Sequence, residues 1–169
     1  LESLALRRKE FEVATAKAQL VRWMSLLDAN NAGRVHGGVV MKLCDEAAGL
    51  AAMRHARNPA VTAAVDRLTF LHPVYVGELL TLKASVNAAW RTSMEVGVRV
   101  EAENPLTGEV RHTNSAYLTM VAVDREGRPV AVPPVEPEDE LELRRLREAE
   151  ERRRQRLAER ERERLRKVA

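Results

Sequence analysis

Asn30, the pair Gly37-Gly38, and Asp45 with its neighbour Glu46 are of types and spacings that could do chemistry together. They lie in Asp28-Ala-Asn-Asn-Ala-Gly-Arg-Val-His-Gly-Gly-Val-Val-Met-Lys-Leu-Cys-Asp-Glu-Ala-Ala-Gly49, a polar, glycine-punctuated loop running into an apolar helix. The helix is expected to start near Gly37 and to end before Asn58-Pro59, because proline biases the preceding residue away from helical angles. No Ser, Thr, Asp or Asn sits directly at its start, so its first amides are expected to be free for a ligand. Free amides at the positive end of a helix dipole suit an oxyanion developing on an attacked carbonyl. A carboxylate such as Asp45, on a buried helix and partly desolvated, suits a base or a nucleophile. Gly37 and Asp45 are eight residues apart, which at 1.5 Å per residue is about 12 Å. Both cannot reach one carbonyl carbon. If they share a site they come from different protomers, and the site lies at a dimer interface. Asn30 would then join the amides' protomer and orient the water or the carbonyl.

Plainer roles exist for each residue. Asp45 could pair with Lys42 one turn earlier, and Glu46 could do so at four residues. Gly37-Gly38 could be an ordinary turn into a helix, and His36 a loop or packing histidine. Cys44 could suggest a nucleophile with His55 or His72, but a lone cysteine in an apolar helix is expected to be inert core. The four histidines (His36, His55, His72, His112) show no metal-ligand spacing, so no metal is expected.

The elements that must position these residues follow from periodicity. Val13 to Leu27 suits a first strand, while residues 1–12 are mixed and weakly helical. The helix over Val39–Met53 is apolar on most sides, with Ala47, Ala48, Gly49, Ala51 and Ala52 forming a small-residue surface. Such a helix is expected to be buried, with a curling sheet or a second copy approaching it closely. Alternation then predicts strands over Val61–Phe70, Leu79–Trp90, Met94–Ala102 and Val110–Val123. The result is an α+β layout, one buried helix and a meander of four antiparallel strands. No βαβ alternation is present, which excludes a dinucleotide fold. Pro133-Pro134 and Pro137 close a domain over residues 13–135. Residues 136–169 form a charged tail, expected to be a solvated Glu/Arg helix because Glu150 and Arg153 break the seam of Leu143, Leu146 and Leu157.

Composition narrows the class. The net charge is +3, but residues 151–167 alone hold nine Arg/Lys against four Glu, so the basicity belongs to the tail. Aromatics are only 4%, too few for stacking on nucleic acid, and no nucleic-acid partner is expected. One cysteine excludes an intrachain disulfide and fits a reducing compartment. No segment resembles a signal peptide or a membrane span, so a cytoplasmic protein without a membrane partner is expected. Because the chain begins at Leu1, a processed or longer N-terminus is expected.

At Asn30, His36-Gly37-Gly38 and Asp45 the chain resembles the hotdog-fold acyl-CoA thioesterases, and over Val35–Gly49 especially their cytosolic acyl-CoA hydrolase branch. Further matches are Val65-Asp-Arg-Leu-Thr-Phe-Leu-His-Pro-Val-Tyr-Val-Gly77, Thr92-Ser-Met-Glu95 and Val121-Ala-Val-Asp124, so the likeness covers about residues 15–135 in ordered blocks. It implies a hotdog fold, an antiparallel sheet wrapped around a long central helix, with two such units pairing to form the active sites. It implies Asn30 and Asp45 as the catalytic pair and Arg91-Thr92-Ser93 as a contact for coenzyme A. The implied reaction is hydrolysis of fatty acyl-CoA to free acid and coenzyme A. Asp45 would be general base or nucleophile, Gly37 and Gly38 the carbonyl's anchor. Coenzyme A is then part of the substrate, with no separate cofactor. A homodimer is required, and a hexamer (trimer of dimers) rests on the resemblance. The rivals are a hydratase or dehydratase of the same fold, which would need a histidine where the loop offers Asn30, and an acyl-CoA sensor without turnover.

Overall fold

The computed structural model describes residues 16–168. Val13 and Thr15, expected in the first strand, and the weakly helical segment 1–12 lie outside them. The elements run β1 (Lys17–Trp23), a 3-10 turn (Leu26–Asp28), the central helix α1 (Gly37–Ala56), β2 (Ala60–Phe70), β3 (Leu79–Ala89), β4 (Ser93–Glu103), β5 (Val110–Ala122) and the C-terminal helix α2 (Glu140–Val168). The four later strands each lie within a residue of their expected ends, and the first is present over Lys17–Trp23, ending four residues before the expected Leu27. The central helix is closed after Ala56 by Arg57, which takes a left-handed conformation (φ 53°) just before Asn58-Pro59.

The five strands form one antiparallel sheet in the order β1-β3-β4-β5-β2. This corrects the expected four-strand meander. Only β3-β4-β5 is a meander; β2 lies beyond β5, at the edge opposite β1. The sheet curls around the helix, so the strand after the helix emerges on the far side from the strand before it. Residues 71–78 return across three strand spacings, about 14 Å, to begin β3.

Alternation places Leu80, Leu82 and Val86 of β3, Met94, Val96 and Val100 of β4, and Leu118 and Met120 of β5 on the concave face, all buried. Opposite them stand Ala47, Ala48, Ala51 and Ala52 of the helix, fully buried. Their small size lets the sheet close on the helix. The helix is not buried all round, however. Met41, Leu50 and Met53 are 47%, 37% and 40% exposed, because the sheet wraps only one side.

The C-terminal helix is not a free solvated rod, as its charge pattern suggests. Its first half docks on the convex face of the sheet. Arg152 grips Glu95 of β4 with Nη2–Oε1 at 2.7 Å, Arg156 pairs with Asp66 of β2 at 2.7 Å, and Lys17 of β1 pairs with Glu142 at 2.8 Å. Arg152 also stacks on Tyr117 (3.9 Å to the ring centre) and Arg153 on Trp90 (4.3 Å). Glu95 is fully buried. Removing one partner of a buried pair leaves the other uncompensated, so Glu95→Ala is expected to lower the unfolding free energy by about 3–5 kcal/mol in denaturant titrations.

The proline segment between sheet and tail is held from inside. His55, fully buried near the end of the central helix, donates from Nε2 to the Pro133 carbonyl (2.9 Å), and its Nδ1 has no partner among the described residues. Burial lowers its pKa from 6.5, although the bond to Pro133 works the other way. Below pH 6.5 the unfolded ring takes a proton that the folded ring resists. Stability contributed here is therefore present above that pH and falls as pH drops towards the folded pKa. Melting temperatures of wild type and His55→Gln from about pH 7 to about pH 5 should diverge, with the wild type falling more steeply.

Candidate active site

The loop before the central helix is built to hold Asn30 still. The buried carboxylate of Asp28 accepts from the Ser25 amide and hydroxyl (both 2.8 Å) and from Arg22 (3.0 Å), and these bonds lower its pKa, the Ser25 amide most. Its carbonyl accepts from the His36 amide (2.7 Å), tying the loop's two ends together. Between them, Asn30 Oδ1 accepts from the amides of Ala32 (2.9 Å) and Arg34 (3.2 Å), and Gly33 supplies the positive φ (72°) the turn needs. These two donors fix which way the Asn30 amide faces. Its oxygen is engaged by the loop, so its NH2 is what it offers a ligand.

The start of the helix differs from expectation. His36 caps it: Nδ1 accepts from the Gly38 amide at 2.9 Å. Gly38 therefore does not offer a free N–H. Its lack of a side chain serves the cap, since a Cβ there would sit 3.0 Å from His36 Nδ1. The Gly37 amide has no partner among the described residues. Asn30 and Gly37 line one cavity of about 290 Å³, walled by Val40, Phe70, His72 and Val74.

Asp45 sits elsewhere. It is exposed on the face of the helix the sheet leaves open, which corrects the expected partial desolvation within one chain. It does not pair with Lys42, whose ammonium lies 3.8 Å from Glu46. Instead the Thr62 hydroxyl of β2 donates to Asp45 Oδ1, leaving Oδ2 without a partner among the described residues. Asp45 and Thr62 line a second cavity of about 650 Å³ with Leu50, Met53, Val61 and Met120. Asp45 also borders a third, of about 250 Å³, whose walls are the apolar Met41, Cys44, Val65, Leu68 and Leu118. Cys44 is 2% exposed, and burial, followed by the charge of Asp45, pushes its pKa up to about 12. At neutral pH it is a thiol, not a nucleophile.

Thr62 was not singled out by sequence. Two bulges, between Thr62 and Ala64 and between Val65 and Arg67, break the alternation of β2, so the strand's phase cannot be counted along it. A threonine three residues after Pro59 gives no other signal.

Arg91 and Thr92 lie in the β3–β4 connection and Ser93 opens β4, and their side chains make no hydrogen bond among the described residues. Val121 of β5 pairs with Ser93 on one side and Val61 on the other. The connection therefore stands at the Thr62 end of the sheet, two strand spacings or about 10 Å across from it. Asn30 with Gly37, and Asp45 with Thr62, are thus two separate groupings on one helix, and Arg91-Thr92-Ser93 lies at the level of the second.

A five-stranded antiparallel sheet wrapped on a long helix, with a polar loop at the helix start and a carboxylate two turns in, is the hotdog thioesterase architecture. The thioesterase superfamily model matches residues 32–109. Protein VdlD of Helicobacter pylori is 44% identical over 121 residues, covering 72% of this chain and 69% of that protein. Among solved structures, a hexameric acyl-CoA thioesterase in its apo form is 42% identical with a TM-score of 0.82, covering 85% of this chain and 92% of that one. The acyl-CoA hydrolase of Staphylococcus aureus, solved with butyryl coenzyme A, coenzyme A and coenzyme A disulfide, is 35% identical with a TM-score of 0.81, covering 88% and 91%. Variants of that hydrolase with an aspartate, an asparagine or a threonine replaced by alanine have also been solved. The chain belongs to the thioesterase superfamily, within its hotdog-fold acyl-CoA thioesterases.

Proposed function

We propose that this protein is an acyl-CoA thioester hydrolase that splits fatty acyl-CoA into free acid and coenzyme A at sites shared between two protomers. The observation that carries the shared site is the separation of Asn30 and Gly37 in one cavity from Asp45 and Thr62 in another, on a helix that spaces Gly37 and Asp45 by about 12 Å. Two further features call for a partner at this face. β2 is an edge strand with one side unpaired that exposes Val61 and Val65, and the open face of the helix beside it exposes Met41, Leu50 and Met53. An unpaired edge flanked by apolar side chains is normally covered. A second copy docked across this face would desolvate Asp45, which one chain alone does not. The residues replaced in the S. aureus hydrolase stand at the same spacing along the chain as Asn30, Asp45 and Thr62, which supports the same three residues acting here.

In that arrangement the thioester carbonyl oxygen accepts from the Gly37 amide of one protomer, with the Asn30 NH2 beside it. Asp45 of the other protomer, oriented by Thr62, activates a water for attack on the carbonyl carbon, or attacks it directly to form an anhydride that water opens. The tetrahedral intermediate places negative charge on the oxygen at Gly37, and its collapse expels coenzyme A as the thiolate. Gly38 contributes by admitting the His36 cap that fixes the helix start. Arg91, Thr92 and Ser93, at the level of Asp45 and Thr62, are the contact for the coenzyme A moiety. The acyl chain lies in the apolar cavity of Met41, Val65 and Leu118. No cofactor is needed, and the working form is a homodimer assembled as a hexamer in the cytoplasm, without a nucleic-acid or membrane partner.

The test follows release of free thiol from acyl-CoAs of graded chain length. Turnover is expected, with a preference set by the apolar cavity. Tight binding of acyl-CoA without thiol release would overturn the reading and make the protein a sensor.

A further inference from the structure

Gly37 opens the central helix and is not one of the glycines at positive φ, so conformational freedom is not what it supplies. Alanine is the better helix former. What a side chain there would meet is the ring of Phe70: a Cβ would lie 3.3 Å from its Cζ and 3.4 Å from its Cε1, so the ring would have to shift. The edge of that ring therefore rests directly on Gly37, the residue whose amide has no partner among the described residues.

Phe70 ends β2 and is 51% exposed, so its ring does not serve to fill the core. Its backbone is nonetheless fixed on both sides. It pairs with Asn114 of β5, whose Nδ2 donates to the Thr69 carbonyl at 3.3 Å. The amides of Leu71 and His72 both donate to the Thr113 carbonyl, at 2.8 and 3.3 Å. Thr113 and Asn114 are consecutive and both fully buried, because the register of β5 against β4 shifts between Val100 and Glu101 and breaks the alternation. Bulges of this kind re-aim the chain around them. Here the bulged strand holds the end of β2 with Phe70 at the helix start, where it walls the cavity that Asn30 and Gly37 also line.

We propose that Phe70 is a positioning residue for thioester hydrolysis: its ring braces Gly37 and keeps water from the amide that anchors the carbonyl oxygen. The inference rests on the reading of Gly37 as that anchor. A hydrogen bond to a developing oxyanion is worth more where the surroundings are apolar and competing water is excluded. Asn30, Arg34 and His72 make much of this cavity's lining polar, and the ring sets an apolar surface against the anchor. Glycine at position 37 is then required by the ring and not by the amide, which every residue except proline carries.

The test measures kcat and KM for thiol release from one acyl-CoA, using the whole protein as wild type, Phe70→Ala, Phe70→Leu, Gly37→Ala and the double variant Gly37→Ala/Phe70→Leu. Phe70→Ala is expected to lower kcat by about 10–100-fold with KM nearly unchanged, less than the loss of about 10²–10³ that removing an oxyanion donor itself produces. Phe70→Leu keeps an apolar wall and should recover most of that loss. Gly37→Ala retains the amide, so its expected fall in kcat of about tenfold comes from displacing the ring, and it should largely vanish in the Phe70→Leu background. Phe70→Leu and Gly37→Ala keep the test decisive if Phe70→Ala does not fold. Unchanged kcat in Phe70→Ala, a rise in KM alone, or an equal cost of Gly37→Ala in both backgrounds overturns the proposal. A wild type that releases no thiol overturns the hydrolase reading and this inference with it, so wild-type turnover tells the two failures apart.

Discussion

Asp45→Ala is expected to lower kcat for acyl-CoA hydrolysis by about 10²–10⁴-fold, the range typical of removing a positioned base, while coenzyme A still binds. The expectation rests on what Asp45 touches. One carboxylate oxygen is held by the Thr62 hydroxyl and the other has no partner among the described residues, so the group is oriented but not consumed by the fold. Its neighbours are the controls. Glu46 stands beside Lys42 on the exposed surface, and Cys44 is a buried thiol with a pKa of about 12. Glu46→Ala and Cys44→Ala should therefore keep most of the activity. Thr62→Val should fall between these extremes, because it retains the carboxylate and loses only its orientation. A steady-state series on one acyl-CoA separates these outcomes. Undiminished hydrolysis by Asp45→Ala would remove Asp45 from the reaction altogether.

The elements that carry the candidate site were legible in the sequence to the extent that local chemistry decides them. Gly37 and Asn58-Pro59 mark the ends of the central helix because glycine and proline act on their own backbone. The alanines of that helix show where the sheet presses because packing needs small residues in contact. Spacing along the helix was enough to separate the two groupings. What escaped depends on contacts between distant segments. The His36 cap was missed because histidine is not a favoured residue at that position, and only the fold shows its Nδ1 on the Gly38 amide. Thr62 was missed because the bulges in β2 shift its phase. The docking of the C-terminal helix was missed because an Arg/Glu face looks solvated until Glu95 and Asp66, on two different strands, are brought beneath it. The place of β2 in the sheet likewise depends on the curl around the helix and not on any feature of the strand itself.

The proposed sharing of the site between protomers predicts a second large effect, one that a site contained in a single chain cannot produce. Asn30→Ala and Asp45→Ala should each be nearly inactive alone, because every site in either homodimer lacks one member. In a heterodimer of the two, one site joins the substituted loop of one protomer to the substituted helix of its partner and is doubly damaged. The other joins the intact Asn30 and Gly37 of one protomer to the intact Asp45 and Thr62 of its partner. Unbiased exchange makes half the dimers mixed, each with one intact site of two, so the mixture should recover about a quarter of wild-type activity. Subunits that do not exchange in the cold can be mixed by co-expression with two affinity tags, and because nearly every hexamer then carries both tags, the doubly tagged fraction should stay close to a quarter of wild-type activity. If Asn30 and Asp45 instead served a site within one chain, no mixing would restore any. The same experiment locates Thr62. Paired with Asn30→Ala, the variant Thr62→Val should be partly rescued, since the intact Thr62 and Asp45 then reside on one protomer. Paired with Asp45→Ala it should not, because both lesions fall on the same kind of half-site and no site in the mixed dimer is whole.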